Sequence, residues 1–357
     1  MRDSLRIGLD IAPLAYPPSG VRTYVEALIA AFRNRDSGID VVPLVTPGGL
    51  LRRSNRLARL KWDLFDVAQA ADEAGVDLLH MTRFAAPARF RRPAVVTVHD
   101  LIPVQIPEYR ASMPARVLAD VMSRTIPRAS RIIVPSAFVA TAVQEILKIE
   151  RDRIDVIPMG VDMPSDSGTP PFVCGPYLLH AGGFDVRKNL PALLAAFATA
   201  RRQLGGEWRL VLLGAAHTGN PVVYPPIRPI IEQYGLTDCV VLTGRVNERE
   251  KQALYRHARI VVAPSLSEGF GLPILEAMAH GVPVVASNRT SHPEVTGEAG
   301  MLVEPDAASL AAAIVDLAGN VELAEELSRR GLERAAAFPW SRTAQLTAET
   351  YRRALSA

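Results

Sequence analysis

Short, almost continuously apolar runs rich in Val, Ile and Leu recur along the chain, each followed by a longer stretch with helical spacing. The runs at 6–11, 41–45, 78–81, 94–99, 131–135 and 154–157 predict strands in the first half. Helical patterns such as 21–33 and 136–147 separate them, the latter opened by Ser136 as an N-cap. In the second half, strands predicted at 177–181, 208–213, 240–242, 260–263, 283–286 and 301–303 alternate with helices at 190–203, 248–256, 273–279 and 307–318. A last helix at 341–355 follows the Phe-Pro-Trp punctuation at 338–340. Strands that are apolar on both faces and separated by helices belong to parallel sheets covered on both sides, so the fold class is α/β with doubly wound sheets. The stretch 163–171, MPSDSGTPP, has no apolar period and reads as a linker between domains at 1–165 and 172–340. Two such domains place a ligand in the cleft between the carboxyl edges of their sheets.

Composition changes this picture only at the margins. The length of 357 residues fits two domains, and 48% hydrophobic with 22% charged residues excludes a disordered chain. Two cysteines cannot build a disulfide framework, which points to a reducing, cytoplasmic location. The start MRDSLRIGLDIAP is too short and too polar for a signal peptide, and no window has 18 uninterrupted apolar residues. The net charge of +3 is unevenly placed: residues 1–165 carry 22 basic against 18 acidic residues, and residues 166–357 carry 18 against 19. The excess lies in 50–62, LLRRSNRLARLKW. If helical, this stretch sets Arg52, Arg56 and Arg59 on one side near Leu57, Leu60 and Leu64. It then reads either as a solvated basic helix or as a peripheral contact with anionic lipid at the inner face of the plasma membrane.

Several chemistries have no sequence support. G-x-x-x-x-G-K-[ST], G-x-G-x-x-G after a strand, C-x-x-C, H-E-x-x-H, Asp-x-Asp and G-x-S-x-G are all absent, which argues against P-loop, dinucleotide and metal-dependent readings. At 6% aromatic residues, nucleic-acid binding is not expected either.

Two constellations do carry chemistry. In PSLSEGFGLPILEAMAHG, 264–281, a loop leads from a strand into a helix opened by Pro273. The amides of Phe270, Gly271 and Leu272 would form an anion site at the helix N-terminus, with Glu268 on the loop and Glu276 in the first turn to accept hydrogen bonds from sugar hydroxyls. The alternative is a plain helix cap with two solvated glutamates. In HAGGFDVRKNL, 180–190, a strand ends at two glycines and Arg187 and Lys188 follow just before a helix, near a sheet's carboxyl edge, where a planar fork and a point charge suit a diphosphate. The alternative there is a solvated basic pair. Weaker candidates are Gly20 in the turn YPPSGVRT, the strand-end pair His99 and Asp100, and Arg245 after Gly244, which either sits under a base or faces solvent. His80 reads as a satisfied core histidine.

Glu268 and Glu276 bracket seven residues, and the text EGFGLPILEAMAHGVPVVAS closely resembles the retaining nucleotide-sugar glycosyltransferases of family four. PPSGVRTYVEAL, TVHDLIP, IIVPSAFVATAVQE, IPMGVD and GGFDVRKNL match in order along nearly the whole chain, and HDLIP with RKNL resembles bacterial mannosyltransferases of polysaccharide and lipopolysaccharide assembly. Met159 departs from the family's usual Asn, and Gly183 from its frequent Arg, which leaves Arg187 to share the phosphate role with Lys188. The resemblance implies a GT-B-type pair of Rossmann-like domains, with the last helix, 341–357, crossing back to the first. It implies that Glu276 binds the donor ribose and Glu268 the sugar hydroxyls. Arg187 and Lys188 would neutralise the diphosphate, His99 contact the donor sugar and Gly20 the diphosphate, with Asp100 an acceptor candidate.

The expected activity is retaining, metal-independent transfer of a hexose from a nucleotide diphosphate sugar to a glycan or lipid-linked hydroxyl, with no cofactor. GDP-mannose is the favoured donor and a UDP-sugar the alternative. A nucleotide-sugar epimerase, a phosphorylase and a non-catalytic nucleotide-sugar binder of the same fold are the competing classes.

Overall fold

The computed structural model describes residues 4–17, 19–33, 38–45, 56–83, 85–164, 173–215 and 219–356. The chain divides into two units, Met1–Gly160 with Pro339–Ala357, and Val161–Phe338. The division falls just before the Pro- and Ser-rich stretch that reads as a linker; positions 165–172 of that stretch lie outside the described residues. Val161 already belongs to the second unit, where its N–H donates to the carbonyl of Phe338 at 2.9 Å.

The first unit holds a six-stranded parallel sheet of β1 (Leu5–Asp10), β2 (Ile39–Leu44), β3 (Leu78–Met81), β4 (Ala94–Thr97), β5 (Arg131–Val134) and β6 (Ile154–Val156), in the order β2-β1-β3-β4-β5-β6. The second holds β7 (Tyr177–Ala181), β8 (Arg209–Leu213), β9 (Val240–Gly244), β10 (Ile260–Ala263), β11 (Val284–Ser287) and β12 (Met301–Val303), in the order β12-β11-β10-β7-β8-β9. Each order reverses beside the first strand of its sheet, β1 in one and β7 in the other, which is where doubly wound sheets open a binding crevice. The central strands β3, β4, β7, β10 and β11 are buried throughout, as strands covered on both faces must be. Strand and helix ends differ by no more than two residues from those expected; β4, for example, stops at Thr97 and leaves His99 beyond the ladder.

Several helices carry no expectation from the sequence. Met113–Thr125 is capped by the Ser112 side chain, and Val321–Ala336 by that of Asn320. Ser136 caps Ala137–Leu147 by accepting from the Val139 N–H at 3.2 Å. The basic stretch becomes helical at Arg56–Lys61, continues through a π-turn at Trp62–Asp66 and runs on to Glu73; Arg52 lies outside the described residues. Among the described residues no single helix is long and apolar enough to cross a membrane.

Helix Trp340–Ser356 belongs to the first unit. A buried polar chain fixes it there: Tyr24 Oη to Thr97 Oγ1 (3.0 Å), Thr97 Oγ1 to His80 Nε2 (2.8 Å), and His80 Nδ1 to Tyr351 Oη (2.7 Å). His80 is therefore a satisfied core histidine, kept neutral by burial, which lowers its pKa to about 3. Trp340 packs on Gly160, where an added Cβ would stand 2.7 Å from the Trp340 backbone. Tyr351→Phe leaves one histidine nitrogen unpaired in the core. It is expected to cost about 1–3 kcal/mol, read as a lower urea midpoint with unchanged m-value.

Candidate active site

In the second unit, β7 ends in His180 and Ala181 and runs into Gly182 and Gly183. Gly182 has φ +155°, and a Cβ there would meet the Lys188 Nζ at 3.1 Å, so the missing side chain is the space the lysine occupies. Arg187 and Lys188 lie in a 3-10 turn, Val186–Lys188, ahead of the helix that begins at Leu190. They thus stand just before that helix and not in its N-terminal turn, where the helix dipole would disfavour a cation. Asn189, with φ +56°, makes the corner and donates from Nδ2 to the carbonyls of Pro264 (3.3 Å) and Pro305 (2.7 Å).

The loop after β10 brings Glu268 to the same place. Its Oε2 accepts from Arg187 Nη1 at 2.6 Å and its Oε1 from Ser265 Oγ at 3.1 Å, while Lys188 Nζ is bonded to the same Oε1. Arg187 also donates to the Ser267 carbonyl at 3.2 Å and pairs with Asp185 at 2.9 Å. The Lys188 side chain is only 7% exposed, so the pair is not a solvated one. Burial acts to raise the pKa of Glu268, but Arg187, Lys188 and His292 outweigh it and hold the carboxyl well below the usual carboxylate range. Phe270 and Gly271 are buried, and Gly271 turns into helix Leu272–Ala279 with φ +108°.

Glu276 sits in the second turn of that helix, since the first turn holds no acid; this corrects its expected position. It is not solvated either. Its Oε1 accepts from Lys251 Nζ at 2.9 Å and its Oε2 from Tyr255 Oη at 2.7 Å. Lys251 and Tyr255 were not singled out in the sequence, although their spacing of four puts them on one face of helix Glu248–His257. Arg245 is exposed just past β9.

In the first unit, the carboxyl edges of β1, β3 and β4 bring together Asp10, Thr82, Arg83 and His99. Asp10, fully buried, accepts from Trp62 Nε1 at 3.0 Å, and Arg83 pairs with Asp63 at 2.7 Å and lies 3.7 Å from Asp10. Burial raises the Asp63 pKa to about 6 against the pull of Arg83. Arg59 stacks 4.7 Å over the Tyr16 ring, so this arginine of the basic stretch is turned toward the protein. His99 Nε2 lies 3.2 Å from the Thr82 carbonyl, and burial lowers its pKa to about 4. Asp100 Oδ1 accepts from the Ile102 N–H at 3.1 Å. Gly20 is the first residue of helix Gly20–Phe32, with open space where its Cβ would be.

Burial likewise holds His180 and His292 at about 4. A histidine kept neutral in the fold but protonated near 6.5 when unfolded contributes stability that is complete above pH 6.5 and fades as pH falls toward 4. Glu268, depressed as a carboxylate, acts in the same direction below its ordinary range. Asp63 opposes them, since a raised carboxyl loses stability as pH rises through 6. His280, also lowered by burial, joins these four histidines, and Asp162, also raised by burial, joins Asp63. The histidines outnumber the aspartates and predict a melting temperature that falls between pH 6.5 and 4, measurable by calorimetry in matched ionic strength.

Two family models match the chain in succession: Glycosyltransferase Family 4 over residues 18–163 and Glycosyl transferases group 1 over residues 175–320. O-antigen chain mannosyltransferase B of Escherichia coli is 30% identical over 287 residues, covering 77% of this chain and 74% of that one. Among solved structures, sucrose-phosphate synthase of Thermosynechococcus elongatus superposes with a TM-score of 0.75 at 24% identity, covering 98% of both chains. HepE of Anabaena, in complex with UDP-glucose, does so at 0.73 and 21%, covering 98% of this chain and 100% of its own. With its two doubly wound parallel sheets and both models matched in order, the chain belongs to the family 4 glycosyltransferases of GT-B fold.

Proposed function

We propose that the protein transfers mannose from GDP-mannose to a hydroxyl of a glycan or lipid-linked acceptor, with retention at the anomeric carbon and without a metal ion. The observation that carries this reading is the convergence of Arg187 and Lys188 on Glu268 at the carboxyl edge of the second sheet. A donor diphosphate competes with the Glu268 carboxylate for both cations. As the diphosphate takes them over, Glu268 is released to accept hydrogen bonds from the sugar hydroxyls.

Negative charge grows on the diphosphate as the bond from its oxygen to the sugar C1 breaks. Fixed cations in a half-buried setting stabilise that charge more than water does. The acceptor oxygen forms its bond to C1 on the same face, and its proton passes to the departing phosphate oxygen. Glu276, already oriented by Lys251 and Tyr255, receives the ribose hydroxyls. His99, neutral above about pH 4, serves as a hydrogen-bonding group and not as a proton donor.

Mannose is favoured by the O-antigen mannosyltransferase relative. A UDP-sugar is the second reading, favoured by the HepE complex with UDP-glucose. Calorimetric titration with GDP and UDP, followed by turnover with GDP-mannose and UDP-glucose, separates the two. NMR of the product gives its anomeric configuration, and an inverted product would overturn the retaining mechanism. Activity unchanged in excess EDTA is the outcome expected for charge supplied by Arg187 and Lys188.

A further inference from the structure

Among the described residues three non-glycines have positive φ: Lys148 (+54°), Asn189 (+56°) and Thr290 (+53°). Asparagine tolerates that region, whereas a β-branched residue there is an outlier that its surroundings must hold in place. Thr290 lies in the turn after β11, and its Oγ1 accepts the backbone N–H of Glu268 at 3.1 Å. The next residue, Ser291, is fully buried, and its single hydroxyl proton lies between the carbonyls of Glu268 (3.0 Å) and Phe270 (2.8 Å). Ser287 donates to the Ser265 carbonyl at 2.6 Å, and His292 Nδ1 meets the same hydroxyl at 2.9 Å. The turn after β11 thus grips the loop at 265–270 from one side, while the Leu266 N–H donates to the Arg187 carbonyl at 2.7 Å on the other.

From this we infer that Thr290 is a positioning residue for Glu268. Its backbone is held in a left-handed conformation so that its hydroxyl can fix the Glu268 amide, and through it the carboxylate that Arg187 and Lys188 share. Ser291 fixes the carbonyl of the same peptide segment, so Glu268 is held at both ends of its backbone. A loop free to drift would draw the two cations after the carboxylate and away from the diphosphate. The inference rests on the reading of Glu268 as a donor-site residue and adds what sets its pose.

The test compares three substitutions. Thr290→Val keeps the shape and removes the acceptor oxygen; Thr290→Ser keeps the oxygen; Thr290→Gly removes both the oxygen and the backbone strain. Amide hydrogen exchange of the unliganded protein reads the grip directly. The peptide spanning 264–272 is expected to exchange faster in Thr290→Val and Thr290→Gly and to stay near wild type in Thr290→Ser. Turnover at saturating GDP-mannose is expected to fall about tenfold in Val and Gly, as for a group placed slightly wrongly, with acceptor KM unchanged and Ser within twofold of wild type. The melting temperature of the Gly variant is expected not to fall in parallel with its activity.

Unchanged exchange in the Val variant, a Ser variant as impaired as Val, or faster exchange with wild-type turnover would each overturn the inference. A wild-type protein that turns over neither GDP-mannose nor UDP-glucose would instead count against the functional reading. In that case the exchange arm still decides whether Thr290 holds Glu268.

Discussion

Lys188→Ala is expected to lower kcat about 10²- to 10³-fold, the size seen when one preorganised electrostatic group is withdrawn from a developing anion. The fold should survive, because Glu268 keeps Arg187 at 2.6 Å and Ser265 at 3.1 Å as partners. Lys188→Arg should rescue little. The ammonium lies where a Cβ on Gly182 would come within 3.1 Å, and a planar guanidinium needs more width than that slot provides. Steady-state rates with the preferred donor check this. A Lys188→Ala enzyme running at wild-type speed would remove the lysine from the chemistry.

Among the described glycines of the second unit, Gly214→Ala is expected to be the most damaging substitution. Gly214 follows β8 with φ +155°, and a Cβ there would stand 1.9 Å from the carbonyl oxygen of Gly182. Both partners are backbone, so neither can rotate away. The cost should exceed about 4 kcal/mol, the range reserved for severe steric or burial faults, and lower the melting temperature by about 10 °C or more. Gly235→Ala is the control: its φ is +64°, but nothing lies within 4 Å of the added carbon. Only the conformational penalty remains there, about 1 kcal/mol. Equal losses in the two variants would show that the contact with Gly182 is not what matters. If Gly214→Ala also loses donor binding while still folded, the displaced Gly182 has carried Lys188 with it.

Much of this architecture is legible in the residues themselves. Runs such as AVV at β4 and IVVA at β10 announce buried parallel strands because nothing polar interrupts them. Helix Val321–Ala336 escapes notice because seven of its sixteen residues are charged and its buried face is built from Leu327, Gly331 and Ala335. Its small residues make room for Met278, a requirement set by tertiary packing and invisible in local sequence. The site shows the same divide. Glu268, Glu276, Arg187 and Lys188 stand out by type and spacing, since each pair is local. What orients them is distant: Lys251 lies 25 residues from Glu276, and Thr290 lies 22 from Glu268. A threonine in a turn carries no sequence signal of its backbone strain.

The path of the chain between the two units has a consequence for the order in which they can form. The first unit is left at Gly160 and regained only at Pro339, yet its core needs Tyr351 against His80 and Trp340 against Gly160. During synthesis those partners emerge only after the whole of Val161–Phe338. The second unit, contiguous in sequence, can close its core first, while the first waits as a sheet lacking one cover helix. A nascent chain stalled near residue 338 should therefore resist protease in the second unit and remain cleavable in the first.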